Sequence, residues 1–431
     1  MQPMDVQGQR ADVQRRTLRV LTAGQVVGAA ALAAAVTVGA FVIQDILGQE
    51  TAWAGLGTAM VTTGTAVMSQ ALSRVMQRRG RRPGLGAGYG LAALGSVVAA
   101  VGVERASLPV FLLGLFVFGN GQASNLLARY AATDLAAPEA RSRAMSRIVF
   151  ASTFGAVLGP LVIGPTEHAG EAWFGFQRYT GPWVFAAVGF AGAMVNTLAR
   201  LRPDPLLVAR RLDGSAEAEA AVPPAPQRIS TTVRTIVAAP ATRVALAAMV
   251  ISQVTMVAVM AMTPMHMRLH GHETMSAYVV SLHIAGMYAF SPIVGRFSDR
   301  RGRLPTILVG AVVLVAATVV AALSGDVEQL LFPSLWLLGL GWNFGLIGGS
   351  SLLVDETAPG DRVAVQGTAD LLMSFCGGLG GFASGFIRQA IGFHLLAASA
   401  MVAAGVLVVI AYTAWRSAGS WTDAPPVLVD A

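Results

Sequence analysis

The amino-acid sequence predicts an all-α membrane protein of twelve transmembrane helices, built as two pseudo-symmetric six-helix bundles. Three observations predict it: apolar runs of membrane-spanning length, arginines concentrated in alternate connections, and a pair of loops that recur at nearly one offset. Of 431 residues, 54% are hydrophobic and only 12% charged, with a mean hydropathy of +0.61, whereas soluble domains carry roughly 25% charge. The chain contains at least ten apolar runs of about 20 residues, each long enough to cross about 30 Å of hydrocarbon.

The spans are 18–43, 51–75, 84–103, 107–130, 144–164, 181–201, 241–265, 275–296, 304–323, 328–353, 365–388 and 391–415. One long polar interruption, from Pro203 to Pro240, contains AEAEAAVPPAPQ and divides them six and six. It reads as a flexible linker. The chain therefore divides into a cytoplasmic tail (1–17), a first bundle (18–202), a cytoplasmic linker (203–240), a second bundle (241–415) and a C-terminal cytoplasmic tail (416–431). The polar start, MQPMDVQGQRADVQRR, has no short apolar core followed by a small-residue cleavage site, so no cleaved signal peptide is read there.

Arginine placement sets the orientation, since all 30 basic residues are arginine. Arg10, Arg15, Arg16 and Arg19 lie in or beside the N-terminal tail, and Arg78, Arg79, Arg81 and Arg82 follow span 2. Arg141 and Arg143, then Arg202, Arg210 and Arg211, then Arg300, Arg301 and Arg303 follow spans 4, 6 and 8. The alternate loops carry only Arg105, Arg178, Arg268 and Arg388, among acids such as Asp45, Glu50, Glu167 and Glu171. By the positive-inside rule both termini and the linker are cytoplasmic, in a bacterial inner membrane. The net charge of +7 then meets anionic lipid headgroups, and no nucleic-acid partner is expected. The single cysteine, Cys376, lies in an apolar run, so no intrachain disulfide can form.

The halves repeat. SRVMQRRGRR (73–82) after span 2 matches GRFSDRRGRL (295–304) after span 8, superposing Arg78 on Arg300, Gly80 on Gly302 and Arg81 on Arg303 at an offset of 222. DLAAPEAR (134–141) matches DETAPGDR (355–362) at an offset of 221, superposing Asp134 on Asp355 and Arg141 on Arg362. Parallel six-helix repeats around a central cavity are a known transporter architecture.

The strongest motif is Gly295-Arg-Phe-Ser-Asp299-Arg300-Arg301-Gly302-Arg303. It resembles the cytoplasmic signature loop of the major facilitator superfamily, of form G-x-x-x-D-R-x-G-R-R. With spans, linker and repeat, the resemblance covers nearly the whole chain. It implies a secondary transporter, not an enzyme, that rocks two halves about a central site, without a cofactor and as a monomer. Asp299 is placed to meet the positive N-terminal end of span 5 near residues 142–147 and lock the cytoplasmic side; alternatively the loop only anchors at headgroups. In the first copy Gln77 replaces the acid and Ser73 the glycine, so its lock on span 11 should be weaker or differently built.

Span 5 carries Gly155 and Gly159-Pro160, read as helix packing or as an imperfect exporter motif. Span 4 has Val117 where many proton-coupled drug exporters of the superfamily carry an arginine, which counts against ordinary drug/proton antiport. Among charges inside spans, costly in hydrocarbon, Asp370 on span 11 is the candidate for proton coupling, held by Arg74, or else a static pair closing the cytoplasmic side. Arg129 and Arg147 are expected to snorkel to the interface.

The hairpin of spans 7 and 8 holds His266, His270, His272 and His283 and several methionines. Met256 and Met260 share a helix face, as do His283 and Met287, and thioether with imidazole suits a soft ion such as Cu(I). The three loop histidines would stand at the external mouth. Met256-x-x-x-Met260-Ala-Met-Thr-Pro264 and His283-Ile-Ala-Gly-Met287 resemble the motifs of the superfamily's bacterial copper importers, and related riboflavin transporters share much of this frame. Alternatively the methionines fill gaps in an apolar bundle.

Polar side chains at lipid depth face a cavity or a neighbouring helix; these are Gln25, Gln70, Asn120, Gln122, Asn125, Gln253, Trp342 and Asn343. Trp342-Asn343 could contact a planar ligand. The sequence thus leads to uptake of copper or a small organic solute, with efflux of hydrophobic compounds, or a non-transporting receptor or scaffold, as the competing readings.

Overall fold

The computed structural model describes residues 3–48, 55–212, 228–269, 273–325 and 327–421. Among them there is no strand, and the long helices form twelve segments: α1 (Pro3–Leu47), α2 (Gly55–Arg79), α3 (Arg81–Glu104), α4 (Leu108–Ala131), α5 (Arg141–Leu161, continuing past Val162 as Ile163–Phe174), α6 (Thr180–Arg200), α7 (Pro240–Leu269), α8 (Glu273–Tyr288, continuing as Ser291–Arg301), α9 (Arg303–Leu323) and α10 (Leu331–Asp355), then α11 (362–391) and α12 (393–421). The last two form one run, Arg362–Trp421, broken where Gly392 takes φ 84°.

Two large hydrophobic clusters, one largely in each half, dominate the described residues. Trp183 anchors the first, with Phe111 and Phe118 set edge-on at 5.3 and 5.4 Å. Helix crossings are made by glycine, since hydrocarbon supplies no hydrophobic drive between helices and close backbone approach must serve instead. A Cβ on Gly64 of α2 would lie 2.0 Å from the Phe116 carbonyl oxygen of α4, and one on Gly155 of α5 would lie 2.5 Å from Ala29 of α1. Gly155 and Gly159 are thus packing residues on α1, while the helix breaks just beyond Pro160, at Val162.

Gly80 and Gly302, equivalent in the repeat, both turn at positive φ, 92° and 96°. Each ends one helix and starts the next with no intervening loop, which brings the arginines on either side to one end of the bundle. This arginine-rich end also holds the connections after α4, α6 and α10.

Two sequence expectations change here. The polar start is not a separate tail: α1 runs unbroken from Pro3, and Val13 is buried against Leu135, Val208 and Ala209. The connection 203–240 is not polar coil throughout, because Pro205–Leu212 and Ile229–Ala238 are helical. Both short helices bury one face, with Leu206, Val208 and Ala209 in one and Thr232 and Ile236 in the other. Residues 213–227, and most of the proposed C-terminal tail, lie outside the described residues.

The α2/α4 crossing is tested by Gly64→Ala. Overpacking costs roughly 1–3 kcal/mol, so a thermal melt in detergent should drop by several degrees. Gly192→Ala, where a Cβ meets nothing within 4 Å, should leave the melt unchanged.

Candidate functional site

Every hydrogen bond and ion pair described between the halves lies toward the arginine-rich end. Asp299, at the end of α8, has its side chain only 3% exposed. Its carboxylate accepts from the Ser142 and Arg143 amides at 3.1 and 3.0 Å, capping α5 of the opposite half, where the free amides of a helix N-terminus favour an anion. Arg143 Nε at 3.1 Å and Arg303 Nη1 at 2.7 Å complete its shell. Around it Ser142 Oγ lies 2.9 Å from Ser298 Oγ and 2.8 Å from Ser351 Oγ. A Cβ on Gly295 would meet Ser146 Oγ at 2.3 Å, so only glycine admits this approach. Arg303 then donates to Asp355 at 2.8 Å, and Asp355 accepts from Arg141 of the first half at 2.6 Å.

The first-half copy closes differently. Arg81 forks onto Asp134 at 2.8 and 2.9 Å and reaches across to Gln366 Oε1 of α11 at 2.8 Å. Gln366 thus supplies the cross-half acceptor that the acid missing at Gln77 does not. The close approach is kept with its partners exchanged, since a Cβ on Gly367 of α11 would lie 2.0 Å from Ser73 Oγ of α2. Burial pushes the Asp134 carboxyl up, against the opposing pull of Arg81. Arg78 and Arg300, equivalent in the repeat, are both exposed.

Asp370 is paired, but not with Arg74, which is exposed. Its partner is Arg129 on α4, whose Nη2 and Nη1 lie 2.6 and 3.2 Å from the two carboxylate oxygens. Arg129 is 1% exposed and Asp370 0%, so Arg129 does not snorkel to the interface as the sequence suggested. It is fixed by the Leu126 carbonyl, Ser350 Oγ and the Tyr130 hydroxyl, with its guanidinium 4.3 Å from the Tyr130 ring centre. The available signal was an arginine within apolar surroundings whose repeat position, 221 residues on, is Ser350. Arg147 is exposed.

The polar candidates sort into two groups. Gln25 donates to Ser152 Oγ at 2.9 Å, joining α1 and α5. Asn120 donates to its own helix at Val117, and Asn125 accepts from the Tyr89 hydroxyl at 3.1 Å. Gln70 accepts from Thr368 at 3.0 Å across the halves. Asn343 is fully buried against Ser291, 3.1 Å away, and so ties α10 to α8 instead of facing a ligand beside Trp342. Gln122 is half-buried. What the fold does assemble is Gln253 on α7, Trp342 on α10 and Tyr288 on α8. The Trp342 indole donates to Gln253 Oε1 at 2.6 Å, and the Tyr288 ring stands edge-on at 6.0 Å. Gly377 of α11 packs beside Gln253.

Met256 is buried, and Met260 and Met287 are half-buried against the second-half core. His283, 0% exposed, lies with Nδ1 2.8 Å from the Leu335 carbonyl oxygen. Nδ1–H is therefore the donor, and Nε2 meets no protein partner. His266 is not at a solvated mouth: it is buried, its ring stacked 4.3 Å from Phe393. His270 and His272 lie outside the described residues, among which no group of three or more His, Cys, Asp or Glu is arranged to hold a metal.

The profile of the Major Facilitator Superfamily matches residues 20–287 and 244–427. The chain is 40% identical over 384 residues, 86% of each protein, to the uncharacterized MFS-type transporter YdeG of Bacillus subtilis. It is 28% identical over 365 residues, covering 84% of this chain and 86% of the relative, to the riboflavin transporter RfnT of Brucella anthropi. In fold it is similar to the crystal structure of the human organic anion transporter MFSD10, with a TM-score of 0.70, 16% identity, and coverage of 92% of this chain and 99% of that one.

Removing one member of a buried ion pair costs about 3–5 kcal/mol, while replacing both with apolar residues is often neutral. Asp370→Asn should therefore lower thermal stability clearly, and Arg129→Met/Asp370→Leu should recover most of the loss. An Asp370→Asn melt equal to that of wild type would show that the pair carries no stability.

Proposed function

The chain belongs to the Major Facilitator Superfamily, and on that premise we propose that this transporter carries a small planar organic solute inward, as a monomer, by alternating access between its two halves. The observation that carries the solute class is the Gln253, Trp342 and Tyr288 group. An indole face, an aromatic edge and an amide offer a stacking surface and a hydrogen-bonding group to a planar molecule. By the positive-inside rule the arginine-rich end and both termini are cytoplasmic, in the bacterial inner membrane. The contacts of Asp299, Asp355, Arg81 and Arg129 then close the cytoplasmic side, and the conformation is the outward-facing one. Asp370 must leave Arg129 when that side opens. Arg129 keeps Leu126 and Tyr130 of its own helix, while the carboxylate loses both oxygens' partner, so a proton taken by Asp370 would neutralise it and couple transport to a proton gradient.

A second reading rests on His283. A ligand histidine commonly donates one ring nitrogen to a carbonyl and offers the other to the metal, the arrangement its Nδ1 contact with Leu335 leaves. Copper would then be the cargo, met by Met256, Met260, His283 and Met287.

Uptake of riboflavin and of Cu(I) by cells expressing wild type, Trp342→Ala, Met260→Ala and His283→Ala separates the two. Loss of an aromatic contact worth about 0.5–1.5 kcal/mol predicts up to roughly tenfold weaker half-saturation for riboflavin in Trp342→Ala, with both other variants near wild type. Copper uptake that disappears in Met260→Ala and His283→Ala supports the metal reading. Lower accumulation than in vector controls makes the protein an exporter. In proteoliposomes, Asp370→Asn should abolish the response of uptake to an imposed pH gradient; an unchanged response would exclude Asp370 as the coupling group.

A further inference from the structure

We propose that the arginine-rich end of the first half binds an anionic phospholipid, with the headgroup phosphate on Arg10, Arg143 and Arg147 and the acyl portion against the apolar wall behind them. The cavity there has a volume of about 630 Å³, within the roughly 300–1,000 Å³ of small-molecule sites. Its walls come from three segments that only the fold brings together: the first turns of α1, the connection 132–140 and the first two turns of α5. Besides the three arginines, Leu18, Leu135 and Ala144 line it.

The segments are held in place. Arg10 Nε donates to the Leu135 carbonyl at 3.1 Å, and Gln14 Nε2 donates to that of Ala132 at 2.7 Å, pinning α1 to the connection.

Of the nearby acids, Asp134 is engaged elsewhere, whereas Asp299 is shared with Arg143 itself. Asp299 is held by the α5 amides, Arg143 and Arg303, and Asp134 by Arg81. Glu139 lines an adjoining depression together with Arg143, Arg296, Asp299 and Arg300. Arg147 is exposed and has no ion pair among the described residues. Arg147 therefore adds an uncompensated positive charge beside Arg143 and an apolar wall, at the end of the helices where headgroups lie. A free phosphate would answer the arginines and leave the wall bare, whereas a phospholipid answers both. Because Arg143 also holds Asp299, lipid binding and closure of the halves draw on one guanidinium and are thereby linked.

Native mass spectrometry of the purified full-length protein, titrated with phosphatidylglycerol and with phosphatidylcholine, tests the site. Phosphatidylglycerol should be retained preferentially, and Arg147→Ala should weaken its retention about fivefold, the effect of one cation near an anionic lipid. Arg147→Lys should keep most of the binding. Equal retention of the two lipids, or undiminished phosphatidylglycerol binding by Arg10→Ala/Arg147→Ala, overturns the proposal. Displacement of bound phosphatidylglycerol by equimolar inorganic phosphate also overturns it, in favour of a soluble anion.

Discussion

A charge withdrawn from water into a bundle of apolar helices must meet its counter-charge there, and this constraint organises the contact between the halves. Arg129 and Asp370 face each other fully buried, one from each half. Toward the same end Asp299 caps a helix of the opposite half, and Asp355 joins Arg141 to Arg303. Apolar packing gives little preference between one helix partner and another when lipid is equally apolar. Directed, charge-assisted bonds do give one, and they select the register in which α2 faces α11 and α5 faces α8. Such contacts are also discrete.

The twofold repeat supplies the frame, and its departures supply the differences. Gly80 and Gly302 turn alike, and the Arg81–Asp134 and Arg303–Asp355 pairs correspond. The serine and glycine at the cross-half approach exchange places, Ser146 against Gly295 and Ser73 against Gly367. Where the second half presents Asp299 the first presents Gln77, and Gln366 provides the acceptor across the gap instead. The Arg129–Asp370 pair has no counterpart at all, because its repeat positions are Ser350 and Val149. The fold is therefore nearly symmetric while its charged and aromatic groups are not, and the Gln253, Trp342 and Tyr288 group belongs to the second half alone.

Twelve long helical segments, their six-and-six division and the arginine-rich end were legible in the sequence, because run length, arginine placement and loop offset are one-dimensional signals. The meeting of Asp299 with the start of α5 was legible too, since a carboxylate at a helix end is answered by the free amides of another helix's N-terminus. The bounds of α1 and the two short helices of the connection were not, because their stripes are apolar only on the face that a neighbouring segment covers. Partner choice lay further out of reach. Arg129 and Asp370 stand 241 residues apart, and nothing local distinguishes Arg129 from an arginine that snorkels. Asn343 and Trp342 are adjacent in sequence yet face different helices, as successive positions on a helix must. The sequence alone determined which segments form the long apolar helices and which end gathers the positive charge, because run length and arginine position can both be read along the chain. Only the tertiary structure decided which buried polar groups answer one another across the halves, because that depends on the rotation of each helix about its own axis, which composition and spacing leave open.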